Sequence, residues 1–357
     1  MSGIRPHDGE RAVLAANSEL VKVQEWRDRT GWDAFVSGAA DGTVAHRWPW
    51  LKIVRDTYGH RTFALAAVQG QQLCGVLPLV LVRSLLFGRQ LVSMPYLDGG
   101  GICSDGHAGA QNALVRAALD LAHQLKVPLE LRHRDVRSYD LPASTHKVTM
   151  TLDLTGGESA AWNRVKSNRR GQVRKATRNG LTVEVHGEDG VPDLFSVLAT
   201  NMRDLGSPMH RRALFSSIMA GLGQDARILL VRSEGHTIGA GLVLMHGDTM
   251  VLPFSSALRS SFSLGTNQLL YWEAIRYAVA RQCSVFDFGR SSPASGTYEA
   301  KREWGAEPVQ LYWYRDHDVG DTDQTARRLQ RAAQAWRHLP VPVATAAGHL
   351  IRGGLPQ

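Results

Sequence analysis

Twice along this chain a pair of apolar strand-like segments joined at a glycine turn leads to another strand, a loop, an amphipathic helix and a final strand, and this recurrence limits the architecture more than any other feature. In the first instance Phe63–Val68 and Gln72–Val82 flank Gln69-Gly70-Gln71, and Arg89–Met94 follows as a strand. The glycine-rich stretch Pro95–Cys103, a helix over 108–125 and the strand Leu129–Arg132 complete it. In the second, Ala226–Arg232, Thr237–His246 and Thr249–Ser256 are strands with turns at Gly235 and Gly247, followed by a helix over 266–281 and a strand over 284–289. No run of identical residues links the two instances, so the repeat is one of architecture, consistent with an old duplication.

The remaining elements fit around these units. Leu20–Gln24 reads as a strand, Trp32 begins a helix, and Trp48–Tyr58 carries proline in a first helical turn. Val148–Leu154 and Thr182–Val185 read as strands, and helices are predicted over 159–179, 191–204 and 210–221. At 357 residues the chain exceeds one ordinary core and fits two. The expected class is α/β, with mixed α+β sheets. The predicted division is a leader at 1–20, a first unit at 21–147, a second at 148–318 and a helical tail at 319–357, where Leu329, Ala333, Trp336 and Leu339 form an apolar face among arginines.

Composition narrows the functional classes. The balance of 41 basic and 33 acidic side chains, +8 in all, favours anionic partners such as RNA, nucleotide-linked precursors or a membrane surface. Cys74, Cys103 and Cys283 show no paired spacing and the 14 histidines no metal-ligand spacing, so no metal site is expected. The first residues carry charges where a signal peptide needs an apolar run, and Leu73–Val82 is about half the roughly 18 apolar residues of a membrane span, so a cytoplasmic protein is expected.

Three stretches could carry chemistry. The first is Phe286-Asp-Phe-Gly-Arg-Ser-Ser-Pro-Ala-Ser-Gly-Thr-Tyr-Glu-Ala-Lys-Arg-Glu-Trp-Gly-Ala-Glu-Pro, a strand running into a loop. As residues alone, Lys301 and Arg302 read as a solvated loop pair, and Asp287, closing a strand, reads equally as a turn or helix cap and as a group that orients an attacking amine or takes its proton. Arg290, next to a glycine, is a fair anion ligand. The second is the run from Arg164 to Arg178, seven basic residues without an acid. At 100° per residue Arg170, Arg174 and their neighbours share one face, with Trp162, Val165, Val173 and Ala176 on the other and Gly180 as the stop. A solvated cationic face is the ordinary meaning of such a run. The third, Arg259 to Asn267, joins a strand to a helix N-terminus, a natural anion site, although a lone Gly265 before a helix is common.

The element order resembles GNAT acyltransferase modules, and the 286–308 stretch resembles the signature of FemAB-like proteins, particularly the exosortase (PEP-CTERM) and exopolysaccharide-associated branch. The resemblance implies two tandem GNAT-like domains. It implies that Lys301 faces the reacting carbonyl, where an ammonium stabilises a developing oxyanion. The basic run resembles the helix opening the second FemAB-like domain, which implies that Arg170 and Arg174 contact precursor phosphates; Arg290 is expected on substrate as the anion ligand read above. Trp48-Pro-Trp-Leu-Lys resembles a precursor-seating segment, with Lys52 as phosphate ligand, and Tyr96, Asp98 and Gly99–Gly101 resemble the family's cleft loop.

At the donor side, Arg259 and Gly265 depart from the glycine-rich pyrophosphate loop of acetyl-CoA enzymes, which favours aminoacyl-tRNA over acyl-CoA. Against tRNA, no long helical hairpin fits between Val185 and Ala226. The expected function is acyl or aminoacyl transfer onto an amine of a nucleotide-linked sugar or peptide precursor, without a cofactor. The alternatives are an acyl-CoA-dependent N-acyltransferase for polysaccharide sugars, and a non-catalytic protein that binds RNA or a membrane surface. The tail is expected either to pack on the second unit or to make peripheral membrane contact.

Overall fold

The computed structural model describes residues 20–84, 88–317 and 332–355. The leader, apart from Leu20, and the tail residues Arg327, Arg328, Leu329 and Arg331 lie outside them. In chain order the first half comprises β1 (Lys22–Glu25), α1 (Arg29–Gly38), α2 (Pro49–Tyr58), β2 (Arg61–Gln69), β3 (Gln72–Ser84), β4 (Gly88–Ser93), α3 (Ala108–Leu125), β5 (Leu129–His133) and β6 (Ala143–Ser144). The second comprises β7 (Val148–Asp153), α4 (Gly157–Arg164), α5 (Ser167–Arg178), β8 (Thr182–His186), α6 (Val191–Leu205), α7 (Arg212–Leu222), β9 (Ala226–Ser233), β10 (His236–His246), β11 (Thr249–Ala257), α8 (Thr266–Ala280), β12 (Val285–Ser291), α9 (Gly296–Arg302) and β13 (Glu307–Gln310). Then come β14 (Tyr312–Arg315) and, in the tail, α10 (Val341–Ile351).

Among the described residues there are two seven-stranded sheets, ordered β1-β2-β3-β4-β5-β14-β6 and β8-β9-β10-β11-β12-β7-β13. The pattern repeats strand for strand. Four antiparallel strands lead to a fifth that pairs parallel with the fourth, β4 with β5 and β11 with β12, and a sixth lies antiparallel to the fifth. The sixth strand is exchanged between the halves. β7, which follows the first unit, completes the second sheet, and β14, which follows the second unit, completes the first. Tyr312–Arg315, expected with the second unit, therefore pairs with His133–Glu130 of the first.

Local chemistry explains most boundaries. Gly70, at φ +61°, turns β2 into β3 with Gln69 opposite Gln72. α2 begins on Pro49 and ends at Gly59 in the left-handed region, and α6 ends likewise at Gly206. The basic helix predicted over 159–179 is instead two helices. At the break the Lys166 N–H donates to the Glu303 carbonyl (2.9 Å), and Gly305 packs against Arg164. The 303–305 turn thus occupies the space a continuous helix would need.

One apolar core runs through both halves. Trp50, Ile53, Val54, Val80, Val92 and Met94 of the first share it with Leu194, Leu198, Phe215, Ile218, Leu230 and Leu242 of the second. Each half also has its own core, around Leu77, Leu114 and Leu129 in one and Leu152, Leu270 and Phe286 in the other. A shared core this apolar gives the halves one fixed relation. The tail packs on that junction: α10 lies on α6, and Arg203 donates to the Leu339 carbonyl at 3.0 Å. Among the described residues no helix is long and apolar enough to cross a membrane.

Candidate functional site

A cleft of about 710 Å³ opens between the halves, lined by Tyr96, Asp98 and Arg134 from one side and Asp287, Gly289, Arg290 and Lys301 from the other. Its origin is a splay between two parallel strands. β11 and β12 pair only over Thr249–Val251 and Val285–Asp287, and beyond this they diverge. There β12 also shifts register against β7, between Asp287 and Arg290, with Gly289 at φ +76°. A splay and a bulge leave main-chain carbonyls that need donors.

Lys301 supplies them. Its Nζ donates to the carbonyls of Gly289 (2.8 Å) and Arg290 (3.0 Å), and the residue is 9% exposed on the cleft wall. An ammonium has three donors, so one remains beyond these two bonds. Burial pushes its pKa down to about 8, with Asp287 and then Asp98 acting in the opposite sense and Arg290 adding to the fall. The sequence suggested that Lys301 sits on a loop. It sits on α9, a short helix capped by Ser295, whose hydroxyl accepts from the Tyr298 N–H at 3.2 Å. That cap fixes the helix and hence the reach of Lys301 to the bulge.

Two ion pairs cross the cleft mouth in reciprocal fashion. Arg134 of the first half donates to Asp287 Oδ2 at 2.7 Å, and Arg290 of the second donates to Asp98 Oδ1 at 2.8 Å. Asp287 Oδ1 also accepts from the Thr149 hydroxyl and from the Gly289 N–H (2.7 Å). Both oxygens of its carboxylate are therefore engaged, Oδ1 by two donors and Oδ2 by one. The guanidinium of Arg290 lies 5.2 Å from the ring centre of Trp313, which the exchanged strand β14 delivers. Tyr96 is buried, and its hydroxyl donates to the Gly353 carbonyl at 2.7 Å.

The corresponding splay in the first half is filled. β4 and β5 pair in parallel only at Leu91–Val92 with Leu129–Glu130. Beyond that point buried Arg132 closes the gap: its N–H donates to Ser93 Oγ (2.8 Å), its Nη1 to the Pro95 carbonyl (2.7 Å) and its Nε to Glu130 (2.8 Å). The topological repeat is thus open to a ligand in the second half and plugged in the first.

Five of the residues read from sequence, Lys301, Asp287, Asp98, Arg290 and Tyr96, meet in this cleft. The others do not. Lys52 lies on the outer face of α2 with 71% of its side chain exposed, paired with Asp56 one turn on, because Trp50 and Ile53 take the buried face. Arg170 and Arg174 are also outside the cleft. The apolar side of α5 packs on α8, Arg174 lies over Trp162 at 5.7 Å, and Trp162 in turn meets Trp272 at 4.3 Å, so α5 is held within the second half and contributes no side chain to the cleft wall. Gly265 belongs with that group. It precedes α8 at φ +89°, and a Cβ there would lie 2.8 Å from the Gln172 carbonyl of α5. The loop before it, with exposed Arg259, is a 3-10 helix rather than an open phosphate-binding turn.

Arg134, Thr149, His210 and Arg352 went unread as site residues. Their only signal in sequence was a charge just past an apolar strand, in Arg134, and an arginine ahead of two glycines, in Arg352.

Residues 163–302 match the family model for an acetyltransferase (GNAT) domain. None of the curated proteins matches the sequence. Among solved structures, FemX superposes with a TM-score of 0.65 at 14% identity, over 82% of this chain and 97% of its own. L-PGS from Bacillus licheniformis gives 0.58 at 15%, over 85% and 98%. A tandem GNAT protein from the clavulanic acid biosynthesis pathway gives 0.50 at 12%, over 83% and 98%. The fold is tandem GNAT-like. At these identities the structural likeness is one of architecture, and the matched domain model supports an acyl-group transferase whose second half, the half with the open splay, carries the match. Such a fold implies an acyl-CoA or aminoacyl donor and an acceptor.

Proposed function

We propose that this chain forms an amide by moving an acyl or aminoacyl group onto an amine of a nucleotide-linked cell-envelope or exopolysaccharide precursor. The observation that carries the reading is the ammonium of Lys301 on the wall of the inter-domain cleft, at the splay of β11 and β12, with one N–H left over. The neutral acceptor amine attacks the carbonyl carbon of the donor ester or thioester, forming the C–N bond. Lys301 stabilises the oxyanion that develops. Collapse breaks the C–O or C–S bond, and the leaving group departs with the proton the amine loses. No covalent enzyme intermediate is needed. Asp287 holds Arg134 and the Gly289 N–H and so orients the wall of the site, while Tyr96, Asp98 and Arg290 frame the acceptor.

Asp287, Gly289, Arg290 and Lys301 of the FemAB-like signature line this wall, which supports a Fem-type assignment; the exosortase-associated branch and a cytoplasmic setting among precursors belong to the same reading through the sequence resemblance alone. For the donor, aminoacyl-tRNA is favoured over acyl-CoA because α5 packs against Gly265 at the helix end where a pyrophosphate would lie. The exposed cations of α5, Arg174, Lys175 and Arg178, are the surface such a polyanion would meet.

Incubating the purified protein in parallel with charged tRNA and with acyl-CoA, against a pool of nucleotide-sugars and precursor peptides, and reading products by mass spectrometry tests this. An amide product with tRNA supports the preferred donor, and one with acyl-CoA alone supports the N-acyltransferase for polysaccharide sugars. No product with either, together with RNA or anionic-vesicle binding that survives Lys301→Ala and falls steeply with salt, favours a binding module working through α5.

A further inference from the structure

The C-terminal segment brings to the far end of the cleft a cation that no motif marked. Arg352 follows α10 and lies on the cleft wall. The first half fixes its backbone. The Gly353 carbonyl accepts from the Tyr96 hydroxyl at 2.7 Å and from His60 Nε2 at 2.9 Å. Gly353 packs on the Tyr58 ring and Gly354 on the backbone of Arg83 and Ser84, closely enough that a Cβ at either would collide.

His210 then sets the orientation of the side chain. Arg352 Nε donates to His210 Nε2 at 3.0 Å. A guanidinium offers no acceptor, so that ring nitrogen is unprotonated and the proton sits on Nδ1, facing the Tyr58 hydroxyl. Burial holds this imidazole well below its usual pKa, in keeping with a neutral ring. His210 therefore aims Arg352 without cancelling its charge.

The other cleft cations are engaged: Arg134 by Asp287, Arg290 by Asp98, and Lys301 by two carbonyls. Among the described residues no carboxylate comes within salt-bridge distance of Arg352. With Nε taken, what remains is the terminal pair of nitrogens, which suits end-on, two-point contact with an oxyanion. Tyr96, Met209 and Phe254 line the same end of the cleft and keep its surroundings apolar, which strengthens such a contact.

We propose that Arg352 is an oxyanion-binding residue, receiving a carboxylate or phosphate of the acceptor at the His210 end of the cleft. Assigning the anion to the acceptor rests on the transferase reading, whereas anion binding itself does not.

The test uses the full chain with inorganic phosphate and with acetate as probes, against chloride at equal ionic strength. Arginine modification by phenylglyoxal is mapped by peptide mass, and the thermal midpoint is followed alongside. Phosphate or acetate should protect Arg352 several-fold while leaving exposed Arg259 reactive. Either should also raise the midpoint by a few degrees in wild type and in Lys301→Ala, but not in Arg352→Gln. Protection by phosphate alone points to a phosphoryl group, and by acetate alone to a carboxylate. A wild-type protein whose Arg352 labelling and midpoint are unmoved by both anions overturns the proposal, and so does equal stabilisation of Arg352→Gln. Should Arg352→Gln fail to fold, the wild-type labelling decides. Anion protection without transfer from any donor leaves this assignment standing and removes the transferase reading, and transfer without protection does the reverse.

Discussion

Lys301 is buried against two main-chain carbonyls, and its depressed pKa of about 8 places its change of charge inside the working range of an enzyme. The cation exists below that value and is lost above it. If the ammonium is what stabilises the oxyanion, kcat measured at saturating donor and acceptor falls as pH rises through about 8. A guanidinium stays charged, so in Lys301→Arg that alkaline limb moves to higher pH, at a lower rate because a planar fork cannot reproduce the ammonium's bonds. A limb that rises through about 8 in wild type and vanishes in Lys301→Arg would instead make Lys301 a base. Asp287 has a different vulnerability. It is 4% exposed and binds Arg134 across the cleft, so Asp287→Ala strips a partly buried guanidinium of its partner. The expected loss of stability is about 3 kcal/mol, read from urea denaturation, with a smaller loss for Asp287→Asn.

At the level of elements, the tail is docked through a glycine. Gly206 ends α6 at φ +77°, and a Cβ there would run into the Ala333 carbonyl of the tail. Gly206→Ala should cost about 1–2 kcal/mol from the left-handed backbone alone. It should also loosen the tail, so that limited proteolysis cuts beyond residue 317 faster than in wild type; an unchanged cleavage rate would mean the contact is dispensable. Elements governed by local periodicity were legible in advance. The helix over 108–125, the hairpin turned at Gly70 and the strands from 226 to 257 turned at Gly235 and Gly247 fall where apolar spacing and those glycines put them. Those set by distant partners were not. α9 is too short and too charged to show a helical period, and β14 is a strand only because β5 and β6 lie beside it. The site divided along the same line. Lys301, Asp287 and Arg290 share one stretch of chain, whereas Arg134 and Arg352 gain their place only through Asp287 and His210, which are remote in sequence. Lys52 and the pair Arg170 and Arg174 lie away from the cleft, which the sequence did not reveal because a helix pattern shows which face is polar without showing what that face looks onto.

For the whole molecule, the exchanged sixth strands and the core common to both halves bind the two units into one folding body. Calorimetry should show one cooperative transition whose van't Hoff and calorimetric enthalpies agree, and two separated transitions would mean that the halves fold independently. A rigid junction is also what the proposed chemistry requires, because the cleft is built from both halves and its ion pairs close only when they are in register. The transfer rate of Lys301→Ala, followed as amide product by mass spectrometry with whichever donor the wild type uses, probes that chemistry at its centre. With fold and substrate binding intact, the rate should drop by roughly 10²–10³, and a variant that makes product at the wild-type rate would show that this cation takes no part in the reaction.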